Sequence, residues 1–544
     1  MRPKFIPEFP MFRRLLGGVA AAAVLLSAGA GLAQDISADR LSEHIRVLAD
    51  DSFQGRVPGE VGEAMTLEYL QGQYEAMGLQ PGGPDGQWLQ PVTLFRFTPA
   101  RAPVAYWTAP DGTQHPLAAT DIQLRSSNDS GRVEIADAPV VFAGYGITAP
   151  ERGWDDYGDL DVTGKVVIVL AGEPEGDLFR GEYNSAYSSG GYKKMEALRR
   201  GAVGVITLVL DQASWQGMAG RPARTRTTVE GLDPIPFTGT MGAVTAMQWG
   251  SAAGVDHGAM ATVDTGQFEA IELTGVRLSV DIEEAREEIQ TYNLLARIEG
   301  SENPDEVVIF SAHWDHVGVS SPDAHGDTIF NGAWDNASGT AGILELARAF
   351  SLSPQPKRTV VFAHMAAEEM GLLGAYAYSV DPVYPLETTV ADLNIDMLPL
   401  SGPTRDVAIF GFGQNSLEDD LAVLAEAEGR YVTDDREPEQ NYYFRSDHFP
   451  FARSGVPALM PWHGVDLDEG GIEVGLPEYQ ALFSRDYHQR SDEWREDYDL
   501  RSAVENLTLM YQLAWDLANS DRWPTWKADS EFGAIRARSD AARQ

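Results

Sequence analysis

The chain is expected to fold as an α/β protein: a mostly parallel central sheet flanked by helices, with a smaller β-rich unit inserted into it. Three observations predict this. From residue 291 onward, apolar runs of strand length alternate with helical stretches, as VVIFSAH, ASGTAGILELARAFS, TVVFAHM, a helix from about Gly371, then TVADLNIDM. Such alternation indicates crossover units around a parallel sheet. Between about residues 131 and 274 the texture changes to β-rich segments such as APVVFAGYGI and KVVIVLAG, which marks the insert. At 544 residues the chain also exceeds what one ordinary core organises, so two structural units plus tails are expected.

The first 33 residues read as an export signal. Arg2, Lys4, Arg13 and Arg14 precede an Ala- and Leu-rich apolar stretch over 15–32, and Gly31 and Ala33 supply the small residues for cleavage after Ala33. Met11 is an alternative start, and a retained anchor is the competing reading of a stretch that is short for a span. The expected location is the periplasm or the medium. Residues 35–130 form the first part of the main unit. Within them, 37–78 carry apolar residues at helical spacing up to a stop at Gly78, and the turn cluster PGGPDG follows. The insert takes 131–274, and KKMEALRRGAVGVITLVL within it reads as helix then strand. The main unit resumes over 275–525, where AVENLTLMYQLAWDLAN is a late amphipathic helix, and 526–544 is expected to be a loose polar tail.

Composition narrows the partners. A hydrophobic fraction of 43% and an aromatic fraction of 10% are globular values. The 41 Lys and Arg against 81 Asp and Glu leave a net charge of -40, which repels nucleic acids and anionic membranes at long range. No stable membrane insertion is expected once the signal is removed. With zero cysteines there is no disulfide and no thiolate ligand, so any metal site must be built from His, Asp and Glu.

Such residues recur where apolar runs end in the second half: His313 and Asp315 in SAHWDHVG, Asp335 in NGAWDNASG, Glu368 and Glu369 in AAEEMGLLG, Asp396 in LNIDM, and His488 in DYHQRSD. A parallel sheet delivers strand ends to one rim. Two histidines with three or four carboxylates form a donor set that zinc accepts, and the total suits two ions sharing a carboxylate better than one. Asp315, two residues after His313, can reach the other ring nitrogen and fix the tautomer. Asp335 read alone is a helix N-cap, but a rigid strand-to-helix junction also lets a carboxylate offer one oxygen to each of two ions. Adjacent carboxylates such as Glu368 and Glu369 diverge, so one can bind metal while the other acts on solvent. Asp396 interrupts an apolar strand, where an unpaired charge costs several kcal/mol. His488, beside Tyr487, enters as the missing nitrogen ligand. His316, His364, His448 and His463 are read as structural or wall residues, and no spacing fixes a role for Arg445 or Asp447.

TYNLLARIEG, SAHWDHVG, NGAWDNASGTAG, AAEEMGLLGA, NIDM, RSDHFPFARSGVPAL and DYHQRSD together resemble, in order, the co-catalytic zinc aminopeptidases, the group that also holds aminopeptidase Y and the glutamate carboxypeptidases. LADDSFQGRVPGE and YEAMGLQPGG are similar to that family's N-terminal segment, and AGYGITAPERGWDDYGDLDVTGKVVIVLAGEP is similar to a protease-associated domain. The resemblance implies a central mixed sheet and two Zn2+ ions, one held by His313, Asp335 and Asp396, the other by Asp335, Glu369 and His488. It implies Glu368 as general base, Asp315 behind His313, and Tyr487 stabilising the tetrahedral intermediate. Trp334 departs from the family, where many members have Asp before the bridging Asp. The implied activity is aminopeptidase, with a carboxypeptidase or dipeptidase on the same ions as one rival and a receptor-like binding module as another.

Overall fold

The computed structural model describes residues 36–181, 185–222, 224–232, 235–256, 260, 268 and 270–543. The expected export signal at 1–33 lies outside them. Among the described residues no helix is long and apolar enough to cross a membrane.

Two helices open the described chain. Helix α1 (Ala38–Leu48) starts at Ser37, whose side chain accepts the Arg40 N–H, and α2 (Val61–Met77) stops at Gly78 in the left-handed region at φ 77. Their apolar stripes, including Leu41, Ile45, Leu70 and Tyr74, are buried in the main core.

The sheet is mixed and has two parallel wings joined by one long strand. The wing of the insert contains β1 (Arg132–Phe142), β2 (Val166–Leu170), β3 (Gly204–Val209) and β4 (Phe237–Gly242), each parallel to the next. Strand β5 (Ile271–Ile298) then spans 28 residues. Its first half pairs antiparallel with β1 and its last residues pair antiparallel with the main wing. That wing consists of β6 (Asn303–His313), α3 (Gly339–Ser351), β7 (Arg358–Met365), β8 (Thr389–Asn394) and the short β9 (Ala458–Leu459), with strand order β9-β8-β6-β7-β5. The strands β9, β8, β6 and β7 are mutually parallel.

Packing follows the alternation of side chains along each strand. Along β6, Val308, Phe310 and Ala312 enter the core under α1, α2 and α3, while Val307 and Ile309 enter a second core on the opposite face. Burial on both faces explains the unbroken apolar run. Each such Val, Ile or Phe side chain contributes roughly 1.5–3 kcal/mol. The insert repeats the arrangement, with Ile168 and Leu170 on one face and Val167 and Val169 on the other. Its larger core also takes in Ala105, Trp107, Ile122 and Leu124.

The main unit closes with α4 (Ile472–Asp486) and α5 (Arg501–Ala518). The C-terminal segment is not the loose tail expected from its polarity, because it folds as α6 (Gly533–Arg543) and buries Phe532 and Arg536. Arg536 Nη1 donates to Thr389 O at 3.1 Å, and Trp526 Nε1 donates to Gly455 O at 2.9 Å. Glu531 joins the segment to the insert, accepting from Arg152 Nη2 at 3.3 Å and Ala186 N at 2.8 Å. An amphipathic pattern was masked there by charged residues whose aliphatic stems and guanidinium donors find carbonyls in the core.

Candidate metal centre

The parallel strands of the main wing end on one rim. His313 is the last residue of β6, Glu368 and Glu369 follow β7 by three and four residues, and Asp396 follows β8 by two. Asp335 sits in the turn before α3, and His488 follows α4. The five residues read as ligands and the residue read as base thus meet in one place, although they are spread over 176 positions of sequence from 313 to 488.

Asp335 lies at the middle of this cluster. Its Oδ1 is 3.4 Å from His313 Nε2, and its Oδ2 is 3.1 Å from His488 Nε2. His313 Nε2 also lies 3.4 Å from Asp396 Oδ1 and 3.9 Å from Glu368 Oε2. His488 Nε2 lies 3.1 Å from Glu369 Oε2. Ligand atoms of His313, Asp335 and Asp396 all fall within 4.8 Å of one another, and so do those of His316, Asp335 and Glu369. A carboxylate with one oxygen turned to each of two nitrogen–oxygen sets has the disposition of a bridging ligand.

Neighbouring groups hold this geometry. Asp492 accepts the N–H of Trp334 at 2.7 Å and of Asp335 at 3.0 Å, fixing the turn from behind. Asn336 Oδ1 accepts from Gly339 N and Met397 N, and its Nδ2 donates to Ile395 O, tying that turn to the Asp396 loop. Asp315 acts differently from the sequence expectation. The backbone carbonyl of Asp315 approaches His313 Nδ1 at 3.1 Å, whereas its carboxylate stays 3.8 Å away. That carboxylate instead accepts the N–H groups of Glu368 at 3.0 Å and Glu369 at 3.4 Å.

The cluster carries an excess of buried negative charge. Burial raises Asp315 to about 6, Asp492 to about 7 and Asp447 to about 8, and burial with the neighbouring carboxylates pushes Glu368 well up. Burial opposes charge on His313 and His488, but the surrounding carboxylates outweigh it and raise both, His488 to about 10. Among the described residues, Arg56 is the fully buried cation nearby. It donates to the carbonyls of Trp314, Leu48, Asn331 and Gly332 rather than to a carboxylate. The donor set, the surplus charge and the buried Glu369 Oε1, which lacks a hydrogen-bond partner, all fit divalent cations.

Tyr487 stacks on His488 with ring centroids 3.9 Å apart, and Arg445 Nη2 donates to its hydroxyl at 3.2 Å. Trp334 is buried between Phe483 and His463 and belongs to the core. His364 pairs with Tyr74 Oη at 2.6 Å and His463 with Met397 O at 2.7 Å, while His448 is buried edge-on against Tyr443 with no hydrogen-bond partner at its ring nitrogens. Sequence reasoning missed the contributions of Asp492, Asn336, Arg56 and His316. Nothing local in the DSFQGR run pointed to the burial of Arg56 or to its four carbonyl partners.

The fold and rim define an α/β protein whose strand ends assemble histidines and carboxylates in two overlapping sets. The model of peptidase family M28 matches residues 293–513. A probable zinc metalloprotease of Pyrenophora tritici-repentis is 33% identical over 326 residues, 54% of this chain and 70% of that protein. A probable zinc metalloprotease of Phaeosphaeria nodorum is 34% identical over 153 residues, but the match spans only 29% of that protein and 26% of this chain. The chain belongs to peptidase family M28. Among solved structures, an aminopeptidase from Aneurinibacillus sp. strain AM-1 is 19% identical with a TM-score of 0.48, covering 91% of this chain and 97% of its own.

Proposed function

We propose that the protein is an exported zinc exopeptidase, an aminopeptidase that removes N-terminal residues from peptides with Glu368 as general base. The observation that carries this reading is Asp335, turned with one oxygen to His313 and the other to His488. His313, Asp335 and Asp396 would hold one zinc ion, and Asp335, Glu369 and His488 the other. When bound, the ions would supply the Lewis acidity that makes water nucleophilic near neutral pH.

The remaining steps belong to side chains. Glu368 stands 3.9 Å from His313 Nε2, with its own N–H fixed by Asp315, so its carboxylate is held at the edge of the cluster. It takes the proton from the attacking water and hands it to the leaving amine. Tyr487 accepts from Arg445, which leaves its O–H free to donate to the developing oxyanion. The surplus of buried carboxylate favours a substrate's cationic amine over its carboxylate terminus. Exposed Arg445 at Tyr487 favours a second reading, capture of a free carboxylate as in a carboxypeptidase or dipeptidase. The inserted wing is proposed to be a protease-associated domain.

Aminoacyl-4-nitroanilides assayed against N-blocked counterparts, with and without chelator, test the proposal. Cleavage confined to free-amine substrates and abolished by chelator is expected. Equal cleavage of blocked substrates would rule out the aminopeptidase, and activity surviving exhaustive chelation would rule out the metal.

A further inference from the structure

The ligand sets proposed above leave His316 without a role, yet both of its ring nitrogens, like those of His448, are buried without a hydrogen-bond partner, and of the two it is His316 that lies against a carboxylate of the cluster. It is 1% exposed. Its Nδ1 lies 2.7 Å from Glu369 Oε1, which is also buried and lacks a hydrogen-bond partner, so the contact is close without hydrogen-bond alignment. Two buried donor atoms held together in this way suit a cation that both can bind.

We propose that His316 is a third histidine of the metal centre, a direct ligand at the second position alongside Asp335, Glu369 and His488. The inference rests on the two-ion reading. Glu369 turns its two oxygens to two different rings, Oε1 to His316 and Oε2 to His488 at 3.1 Å. The rings stand edge to face, 5.8 Å between centroids. Ligand atoms of His316, Asp335 and Glu369 fall within 4.8 Å of one another.

The interior ring is firmly seated. Gly332, at φ 59, packs directly against it, so that a Cβ there would meet His316 Cγ at 2.5 Å and Asp335 O at 2.2 Å. Arg56 pins the Gly332 carbonyl at 2.8 Å and the Trp314 carbonyl at 2.9 Å, bracketing His316 from both sides in sequence. His488 reaches the same position from the solvent side, with 37% of its side chain exposed. His316 would thus give the second ion a fourth protein ligand, where His313, Asp335 and Asp396 would supply three to the first.

The full chain, stripped with chelator and titrated with zinc alone, tests this through stoichiometry and affinity. Wild type is expected to bind two ions. His316→Ala is expected to keep the first and to weaken the second at least about tenfold. His488→Ala should still take up two, and the double variant only one. His316→Ala binding the second ion within twofold of wild type would overturn the inference and leave the two-ion reading intact. A wild-type chain that binds a single ion would overturn both. Should His316→Ala fail to fold, an anomalous zinc map of wild-type crystals decides: a His316 nitrogen at about 2.1 Å from the second ion supports the ligand, and one beyond about 3 Å rejects it.

Discussion

The two wings of the sheet share a design but not a chemistry. Both stack parallel, doubly buried strands on either side of the same 28-residue strand. In the main wing the strand ends carry His313, Glu368, Glu369 and Asp396, and among the described residues both clusters of potential metal ligands lie there. In the insert the strand ends run into Ala171 and Gly172, into Ala243 at a helix start, or towards Asp211, which caps a short helix. Its buried charges are mixed in sign and individually satisfied: Lys193 is held on the carbonyls of Tyr145 and Gly172, both at 2.6 Å, Asp156 accepts from Ile147 N, and Glu196 accepts from Arg199 and Arg200. The contrast teaches that a sheet rim becomes a site only where polar residues converge from several strands, because buried charges of mixed sign are satisfied by the backbone and by one another while many like charges require counter-ions.

Asp335→Ala strikes the contrast hardest. It is expected to abolish turnover, by about 10⁴-fold or more, and to lower zinc content at both positions, read by elemental analysis. Full occupancy would deny Asp335 its bridging place. Glu368→Gln should cost about 10²–10⁴ in kcat with metal content unchanged. Near-normal turnover would remove the base assignment. Tyr487→Phe is expected to cost about 10–10³ in kcat with little change in KM, as loss of one oxyanion donor does.

On the insert side the expected effects fall on stability. Ile168→Ala should lower the unfolding free energy by about 2–5 kcal/mol, while the specific activity of the folded fraction stays within about twofold. A loss of turnover comparable to that of Glu368→Gln would show that the wings are not independent. The smallest effect concerns pH. Burial depresses the Lys193 ammonium from 10.5 to about 7. The folded chain then binds fewer protons than the unfolded one between those values, so stability rises with pH across that window, by at most about 1.4 kcal/mol per unit. Lys193→Met should lack this rise in denaturant titrations at pH 7.5 and 9.5, and an unchanged rise would assign it to another group.

Much of the scaffold was legible along the chain. The helical stripe ending at Gly78 became α2, and the apolar runs before His313, Glu368 and Asp396 became adjacent parallel strands. Of the candidate site, His313, Glu368, Glu369 and Asp396 stand at the ends of such runs, whereas Asp335 and His488 lie in more polar stretches and were read only as completing the donor set. Other features were not. The C-terminal helix was hidden because Arg536 is buried against backbone carbonyls rather than by an apolar side chain. His316 carries no local mark that separates a ligand from a packed imidazole.

By itself the sequence determined most of the strands and helices, the C-terminal helix excepted, and which polar residues stand at their ends, since periodicity and the high cost of burying charge act locally. Only the tertiary structure decided the rest: that Asp315 turns to the Glu368 and Glu369 amides, that Arg56 spans four carbonyls, and that His316 faces Glu369. Those outcomes depend on which strands become neighbours and in what register. Contacts across such pairings are fixed by the whole core at once, and no stretch of chain encodes them alone.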